Sequence, residues 1–278
     1  MSVGWAEDIG LREEMEDGFV FIDCFGGNKQ SAFFAIYDGH GGRQCVDYIT
    51  SNLHVILKEQ LHQAAVAGSP VSDAIARAYA TTDANMYRSG ITSSGCTSCS
   101  CLLQEEGGRR VLYTAHLGDA RAVLCRQGQA VRLTAMSDHK ATDKVEQERV
   151  MKAGGHIMNE RVNGMLAIAR AFGDHQLKIP EQQQDIVSNL PDITSTELTE
   201  LDMFLIIACD GLWDVLHDQG AVNIVLEAIR VYTQLVPPGT EGDSTRRRPM
   251  GEIFARCLVE EALARGTSDN VTCLVVFP

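Results

Sequence analysis

The sequence has little of several features that mark common classes of protein. Its 278 residues contain no apolar run near the ~18 residues that a membrane-spanning helix needs. Basic residues number 24 against 37 acidic ones, a net charge of −13, and they form no stripe. These shortages argue against a membrane protein and against a partner of nucleic acids or anionic membranes. They leave a globular protein whose 45% hydrophobic composition is enough for a large core.

Segments that would divide the chain are also missing. We find no internal repeat, no block of like charges and no linker rich in Gly, Ser or Pro. We therefore expect residues 1–278 to form a single catalytic domain. No signal peptide is visible, and Ser2 rules out N-myristoylation, so we expect a cytoplasmic protein, with the nucleus as the alternative.

Nine cysteines are present, and most stand inside apolar runs. An odd number in such positions predicts buried, reduced thiols rather than a disulfide framework. Cys96, Cys99 and Cys101 are close enough together to suggest zinc. No second Cys/His pair stands at zinc spacing, which disfavours that interpretation.

Short apolar runs rich in β-branched and aromatic residues predict most of the secondary structure. The predicted strands are residues 19–22, 32–37, 99–103, 111–116, 122–125, 204–209 and 271–277. Helical spacing of apolar residues predicts helices at 46–61, 75–86, 219–234 and 251–265, and a further one between Asp143 and Gly154. Helices that come in pairs between groups of strands favour antiparallel sheets with helices outside them. Two segments without a pattern, 174–191 and 237–249, predict exposed loops.

Acidic residues concentrate at the ends of the predicted strands. Asp38 and Asp210 directly follow the two most apolar runs, and each is followed by glycine. Glu16, Asp17 and Asp269 stand just before two other strands. Because the end of one antiparallel strand lies beside the start of the next, these segments could reach one rim.

Carboxylates that close would repel one another unless a cation neutralised them. Mg²⁺ and Mn²⁺ take such oxygen ligands. A single Asp-Gly pair is more often only a turn, but two at strand ends together with the acid pairs favour a site for two metal ions. Two ions suit phosphoryl hydrolysis. Arg12 is then placed to grip the phosphate, and His40 to protonate the leaving group.

Several short motifs along the chain resemble those of the type 2C protein phosphatases, the metal-dependent serine/threonine family. They cover about residues 4 to 277 in the family's order. The motifs are Arg12-Glu13-Glu14-Met15-Glu16-Asp17, Asp38-Gly39-His40-Gly41-Gly42, Ser94-Gly95-Cys96-Thr97, Gly118-Asp119-Ala120-Arg121, Asp138-His139-Lys140, residues 161–167, residues 208–214 and Ser268-Asp269-Asn270.

The resemblance implies an α+β fold, a sandwich of two antiparallel sheets with pairs of helices outside (α-β-β-α). It implies hydrolysis of phosphoserine and phosphothreonine in phosphoprotein substrates by water activated between two ions, Mn²⁺ or Mg²⁺. We expect a monomer, since no oligomerisation signal is visible. The implied metal ligands are Glu16, Asp38, the Gly39 carbonyl, Asp210 and Asp269, with Asp138 at a weaker third ion; Arg12, His40 and Asp17 are the implied catalytic residues.

Some positions depart from the family's motifs, among them Ala120, Ala169 and Phe172, but none of them removes an implied ligand. Residues 174–191 resemble the family's variable flap beside the active site, shortened here, and we expect them to tune substrate choice. Two other functions stay open at this point. One is a pseudophosphatase that uses the fold only for binding, and the other is a two-metal phosphoesterase acting on nucleotides or small phosphates.

Overall fold

The structure is a computed structural model that describes residues 1–179, 184–235 and 250–278. Its strands are β1 (Ser2–Asp8), β2 (Gly18–Asp23), β3 (Ala32–Tyr37), β4 (Gly39–His40), β5 (Gly95–Cys96), β6 (Ser98–Glu106), β7 (Arg109–Leu117), β8 (Arg121–Arg126), β9 (Gln129–Arg132), β10 (Ile157–Met158), β11 (Arg161–Val162), β12 (Phe172–Gly173), β13 (Lys178–Ile179), β14 (Gln184–Asp185), β15 (Asp192–Leu198), β16 (Asp202–Ala208) and β17 (Val271–Phe277). Its α-helices are α1 (Gln44–Ala67), α2 (Val71–Arg88), α3 (Lys144–Lys152), α4 (Asp210–Trp213), α5 (Asp218–Leu235) and α6 (Met250–Ala264).

One compact unit consists of Met1–Met15, Arg121–Leu133 and Leu198–Pro278. Its antiparallel sheet has the order β1-β17-β16-β8-β9, and α6 packs on β1 and β17. Phe204, Ile206, Phe254 and Leu258 belong to the fully buried core of this unit. A Cβ on Gly4 would lie 1.7 Å from a backbone atom of α6, so glycine is what lets helix and strand approach this closely.

The other unit consists of Glu16–Ala120 and Thr134–Glu197. Its antiparallel sheet has the order β15-β7-β6-β3-β2, and α1 and α2 pack against each other. Every residue of β3 is buried, which explains its continuous apolar sequence. Tyr79 of α2 lies in this core and bonds through its hydroxyl to Ser98 and Ser100 of β6.

The predicted fold class, α+β with antiparallel sheets and paired helices, is confirmed. Each predicted strand and helix is present, with ends that differ by a few residues. Asp143 caps α3 by accepting from the backbone N–H groups of Val145 and Glu146, as its spacing predicts. The predictions missed three longer strands, β1, β9 and β15, which are rich in small or polar residues. That residues 1–278 act as one domain stays a prediction.

The prediction of an exposed loop over 174–191 is wrong where the structure describes it. Residues His175–Leu177 form a 3₁₀ turn, and β13 pairs with β14. Asp174, His175 and Lys178 are buried. The second predicted loop, 237–249, lies outside the described residues.

A buried ion pair explains why this segment packs inward. Both carboxylate oxygens of Asp83, on α2, accept from the Lys178 ammonium at 3.0 Å, and each side chain is less than 5% exposed. Burial alone would raise the pKa of Asp83, but Lys178, His175 and a hydrogen bond from Asn189 hold that pKa well below its usual range. The pair therefore anchors the segment after Gly173 to α2.

Among the helices that the structure describes, none is both long and apolar enough to cross a membrane.

We predict that Lys178→Met lowers the free energy of unfolding by roughly 3 kcal/mol or more, because it leaves the Asp83 carboxylate buried without its cation. Urea denaturation measures this change. The matched control is Arg265→Met, which breaks an i,i+4 pair with Glu261 whose side chains are 46% and 39% exposed, and should cost under about 1 kcal/mol. Equal, small losses for both variants would contradict the anchoring role of the buried pair.

Candidate functional site

The pairing of β2 with β3 brings two of the predicted acidic segments to one sheet edge. Gly18, the first residue of β2, is the register partner of Tyr37, the last residue of β3. Glu16 and Asp17 precede this pair on one strand, and Asp38 follows it on the other. The expectation that these segments meet is confirmed within this unit.

Three carboxylates crowd together at this edge. An oxygen of Asp38 lies within 4.8 Å of one from Asp17 and within 4.8 Å of one from Asp119. Asp17 is 2% exposed and Asp119 6% exposed, so water screens their charges poorly. The Lys140 ammonium lies 3.7 Å from Oδ2 of Asp119. A hard divalent cation fits this set of oxygen donors.

Asp119 was not among the predicted ligands, although the sequence carried a signal for it. It follows β7 by two residues, just as Asp210 follows β16. The strand-end argument that selected Asp38 and Asp210 therefore applies equally to Asp119.

Tight turns fix Glu16 and Gly39 against each other. The Gly42 N–H donates to Oε1 of Glu16 at 2.6 Å, and Arg43 donates to the Asp17 carbonyl at 2.9 Å. A Cβ on Gly39 would lie 2.5 Å from the Glu16 carbonyl oxygen, so the backbone passes here only as glycine. Hydrogen bonds thus join the motif of residues 12–17 to the segment that begins with the motif of residues 38–42.

His40, the predicted general acid, contacts a residue that the sequence analysis did not select. Its Nε2 lies 2.8 Å from Oδ2 of Asp174. Asp174 immediately follows Gly173 at the end of β12, and β12 belongs to the same small sheet as the strand that carries His40. The sequence analysis did not select Asp174 because it lies in the segment that was predicted to be an exposed loop.

Asp138, the predicted ligand of a third ion, stands in a segment tied to the turn before Asp119. His139 N–H donates to the Gly118 carbonyl at 2.9 Å, and Gly118 N–H donates to Nδ1 of His139 at 3.1 Å. Nε2 of His139 lies 3.1 Å from Asp192. These bonds fix His139, and therefore the backbone of its neighbour Asp138.

The remaining predicted ligands belong to the sheet of the first unit. Ala208, the last residue of β16, pairs with Cys273 of β17. Asp210 follows the one strand and Asp269 precedes the other, so both lie at the same edge of that sheet. Gly211 is required beside Asp210, because a Cβ there would lie 1.9 Å from the Asn270 carbonyl oxygen.

Arg12 lies at this edge as well, in contact with a predicted ligand. Its Nη2 donates to Oδ2 of Asp269 at 2.6 Å, and the two side chains are 52% and 32% exposed. The Asn270 side-chain amide donates to the carbonyls of Ile9 and Glu14, on either side of Arg12. The Asn270 side chain is therefore buried and holds the backbone on both sides of Arg12 in place.

All nine cysteines, which fall within the described residues, are free thiols. Burial raises the pKa of Cys96 well above its usual value and that of Cys273 to about 12. These thiols are therefore protonated and poor ligands or nucleophiles at neutral pH.

Comparisons with known proteins agree with the motifs. The sequence model of the family described as Protein phosphatase 2C matches residues 3–271. Protein phosphatase 2C homolog 1 of Saccharomyces cerevisiae is 36% identical, over 99% of this chain and 92% of that protein. Protein phosphatase 2C homolog 1 of Schizosaccharomyces pombe is 40% identical, over 95% of this chain and 69% of that protein. The crystal structure of serine-threonine phosphatase 2C from Toxoplasma gondii shares the fold, with a TM-score of 0.77 and 22% identity over 99% of this chain and 94% of that one.

Proposed function

The chain belongs to the protein phosphatase 2C family, and on that premise we propose that Glu16, Asp38, Gly39, Asp210 and Asp269 hold two divalent cations, Mn²⁺ or Mg²⁺. Members of the family are metal-dependent protein serine/threonine phosphatases, and this chain is one of them. The observation that supports the proposed ligands best is the crowding of carboxylates around Asp38 at the end of β3.

The donor set favours hard cations, since it consists of carboxylate oxygens and one backbone carbonyl. When bound, such ions would lower the pKa of a water molecule and neutralise charge on the phosphate oxygens. Asp17 is 2% exposed and has an oxygen within 4.8 Å of one from Asp38. We propose that it holds bound water in place beside the metal ligands. Asp138 is proposed to serve a weaker third ion.

Arg12 is proposed to bind the substrate phosphate. A guanidinium offers paired N–H donors that match two phosphate oxygens. In this structure one of its nitrogens donates to Asp269, so phosphate binding exchanges one anionic partner for another. The partial exposure of both side chains leaves Arg12 room to make this exchange.

His40 is proposed to donate a proton to the leaving oxygen of serine or threonine. Loss of an alkoxide is unfavourable without protonation, so a general acid at this position speeds the reaction of poor leaving groups most. The substrates are phosphoproteins. We further propose a monomeric protein in the cytoplasm, where the free thiols stay reduced.

We predict that Asp38→Asn weakens Mn²⁺ binding and lowers turnover by more than about 100-fold. Changing a residue that only hydrogen-bonds to a metal ligand already lowers metal affinity or activity by about 10- to 100-fold, and Asp38 is proposed to be a ligand itself. Calorimetric titration with Mn²⁺ and hydrolysis of a phosphothreonine peptide measure the two effects. Asp73→Asn, at an exposed position in the first turn of α2, is the matched control and should change neither. Normal metal binding by the Asp38 variant would remove this residue from the proposed ligand set.

We predict that His40→Ala slows a phosphothreonine peptide by about 100-fold or more but an activated aryl phosphate far less, because only the first leaving group needs a proton. Steady-state kcat values for the two substrates, measured at saturating metal, test this difference. Equal losses on both substrates would argue against proton donation by His40.

A further inference from the structure

The contact between His40 and Asp174 is short and largely shielded from water. Nε2 lies 2.8 Å from Oδ2, and the side chain of Asp174 is 4% exposed against 29% for His40. An ionised carboxylate only accepts hydrogen bonds, so Nε2–H is the donor. Burying this carboxylate would be costly without such a donor.

The three short strands force this contact through their register. Gly95 of β5 pairs with His40 of β4 on one side and with Gly173 of β12 on the other. A Cβ on Gly95 would lie 2.1 Å from Oδ2 of Asp174 and 2.6 Å from Nε2 of His40. The absence of a side chain at Gly95 therefore makes the space in which imidazole and carboxylate meet.

The backbone holds Asp174 in an unusual conformation. Its φ is 50°, in the left-handed region that few residues other than Gly, Asn and Asp adopt. Its N–H donates to the Ser94 carbonyl at 3.1 Å, and its carbonyl accepts from Leu177 N–H at 2.7 Å. This turn and its two hydrogen bonds fix where the Asp174 side chain leaves the backbone.

The residues on both sides of Asp174 are fixed to α2. Gly173 N–H donates to Oδ1 of Asp83 at 2.8 Å, and Lys178 binds both oxygens of the same carboxylate. His175 Nε2 lies 3.2 Å from the backbone carbonyl of Asp83. The Asp83 pair thus fixes the peptide that carries Asp174, and with it the position of the carboxylate.

We propose that Asp174 is a positioning residue for the phosphatase reaction: it binds Nε2–H of His40, fixes the ring, and leaves Nδ1 to donate the proton to the leaving oxygen. This inference rests on the proposed role of His40 as general acid. In the step, a water oxygen bonds to phosphorus as the bond to the serine or threonine oxygen breaks. The Nδ1 proton passes to that oxygen, leaving a neutral imidazole with Nε2–H on Asp174. The proton lost by the attacking water is available to restore the acid.

The test variant is Asp174→Asn, because asparagine also adopts a positive φ and keeps the backbone in place. Its amide can donate to Nε2 and so favour the wrong tautomer. We expect kcat for a phosphothreonine peptide to fall about 10- to 100-fold, with a much smaller fall for an activated aryl phosphate. We also expect the double variant His40→Ala/Asp174→Asn to be no slower than His40→Ala alone, since both changes remove one function.

The control is Asp202→Asn, which alters a carboxylate whose side chain is 1% exposed and bonded to Arg126. It should lower stability and leave the ratio of the two kcat values unchanged. Additive losses in the double variant, or an equal fall on both substrates for Asp174→Asn, would overturn the proposal and leave Asp174 with a structural role.

A second readout does not depend on activity. In the metal-free protein labelled with ¹⁵N-histidine, the His40 signals, assigned with His40→Gln, should show the hydrogen on Nε2 of the neutral ring. In Asp174→Asn, a fraction of the molecules should carry this hydrogen on Nδ1 instead. Unchanged His40 signals would contradict the contact between His40 and Asp174. If the wild-type protein hydrolysed neither substrate, the phosphatase proposal would fail, while these signals would still decide whether Asp174 holds His40.

Discussion

Repulsion between carboxylates at the ends of strands is the physical constraint on which the site depends. Oxygens of Asp38 and Asp17 lie within 4.8 Å of each other, and two unit charges at that separation repel by about 3 kcal/mol at an effective dielectric constant of ~20. Asp119 adds a third carboxylate within the same limit of Asp38. A fold that buries these groups therefore needs a counter-charge, which the proposed divalent cations would supply. Metal dependence follows from where the antiparallel strands end.

Glycine and hydrogen bonds make this crowding sterically feasible. Gly39 and Gly211 stand where a Cβ would come within 2.5 Å of a backbone atom. At Gly95, a Cβ would occupy the space in which the side chains of His40 and Asp174 meet. These glycines are needed for close approach of side chains and backbone, so they belong to the site as much as the acidic residues do. The Asp83 ion pair then stabilises the segment that completes it.

Most of the fold and much of the site could be predicted from the sequence, because both depend on local patterns. The run of apolar residues that forms β3 is buried throughout, and such a run is recognisable on its own. β1 was missed because Gly4 and Ala6 carry little apolar surface, and its stability comes from pairing with β17 and packing on α6. Asp174 was missed because its contact with His40 depends on Gly95 and Asp83, residues about 80 to 90 positions earlier in the chain than Asp174. No local pattern reports such long-range contacts.

The account's central claim is that metal-activated water attacks the phosphorus of the phosphoprotein substrate directly, without a phosphorylated protein intermediate. The most direct measurement is hydrolysis of a phosphorothioate analogue of a phosphothreonine peptide, made chiral at phosphorus with an oxygen isotope, in isotopically labelled water, with Mn²⁺ or Mg²⁺ and again with excess chelator. The account predicts turnover only with metal, and inversion of configuration at phosphorus, because a single in-line displacement inverts it. Turnover that persists in chelator, or retention of configuration, which two successive displacements through a protein nucleophile would give, would contradict it.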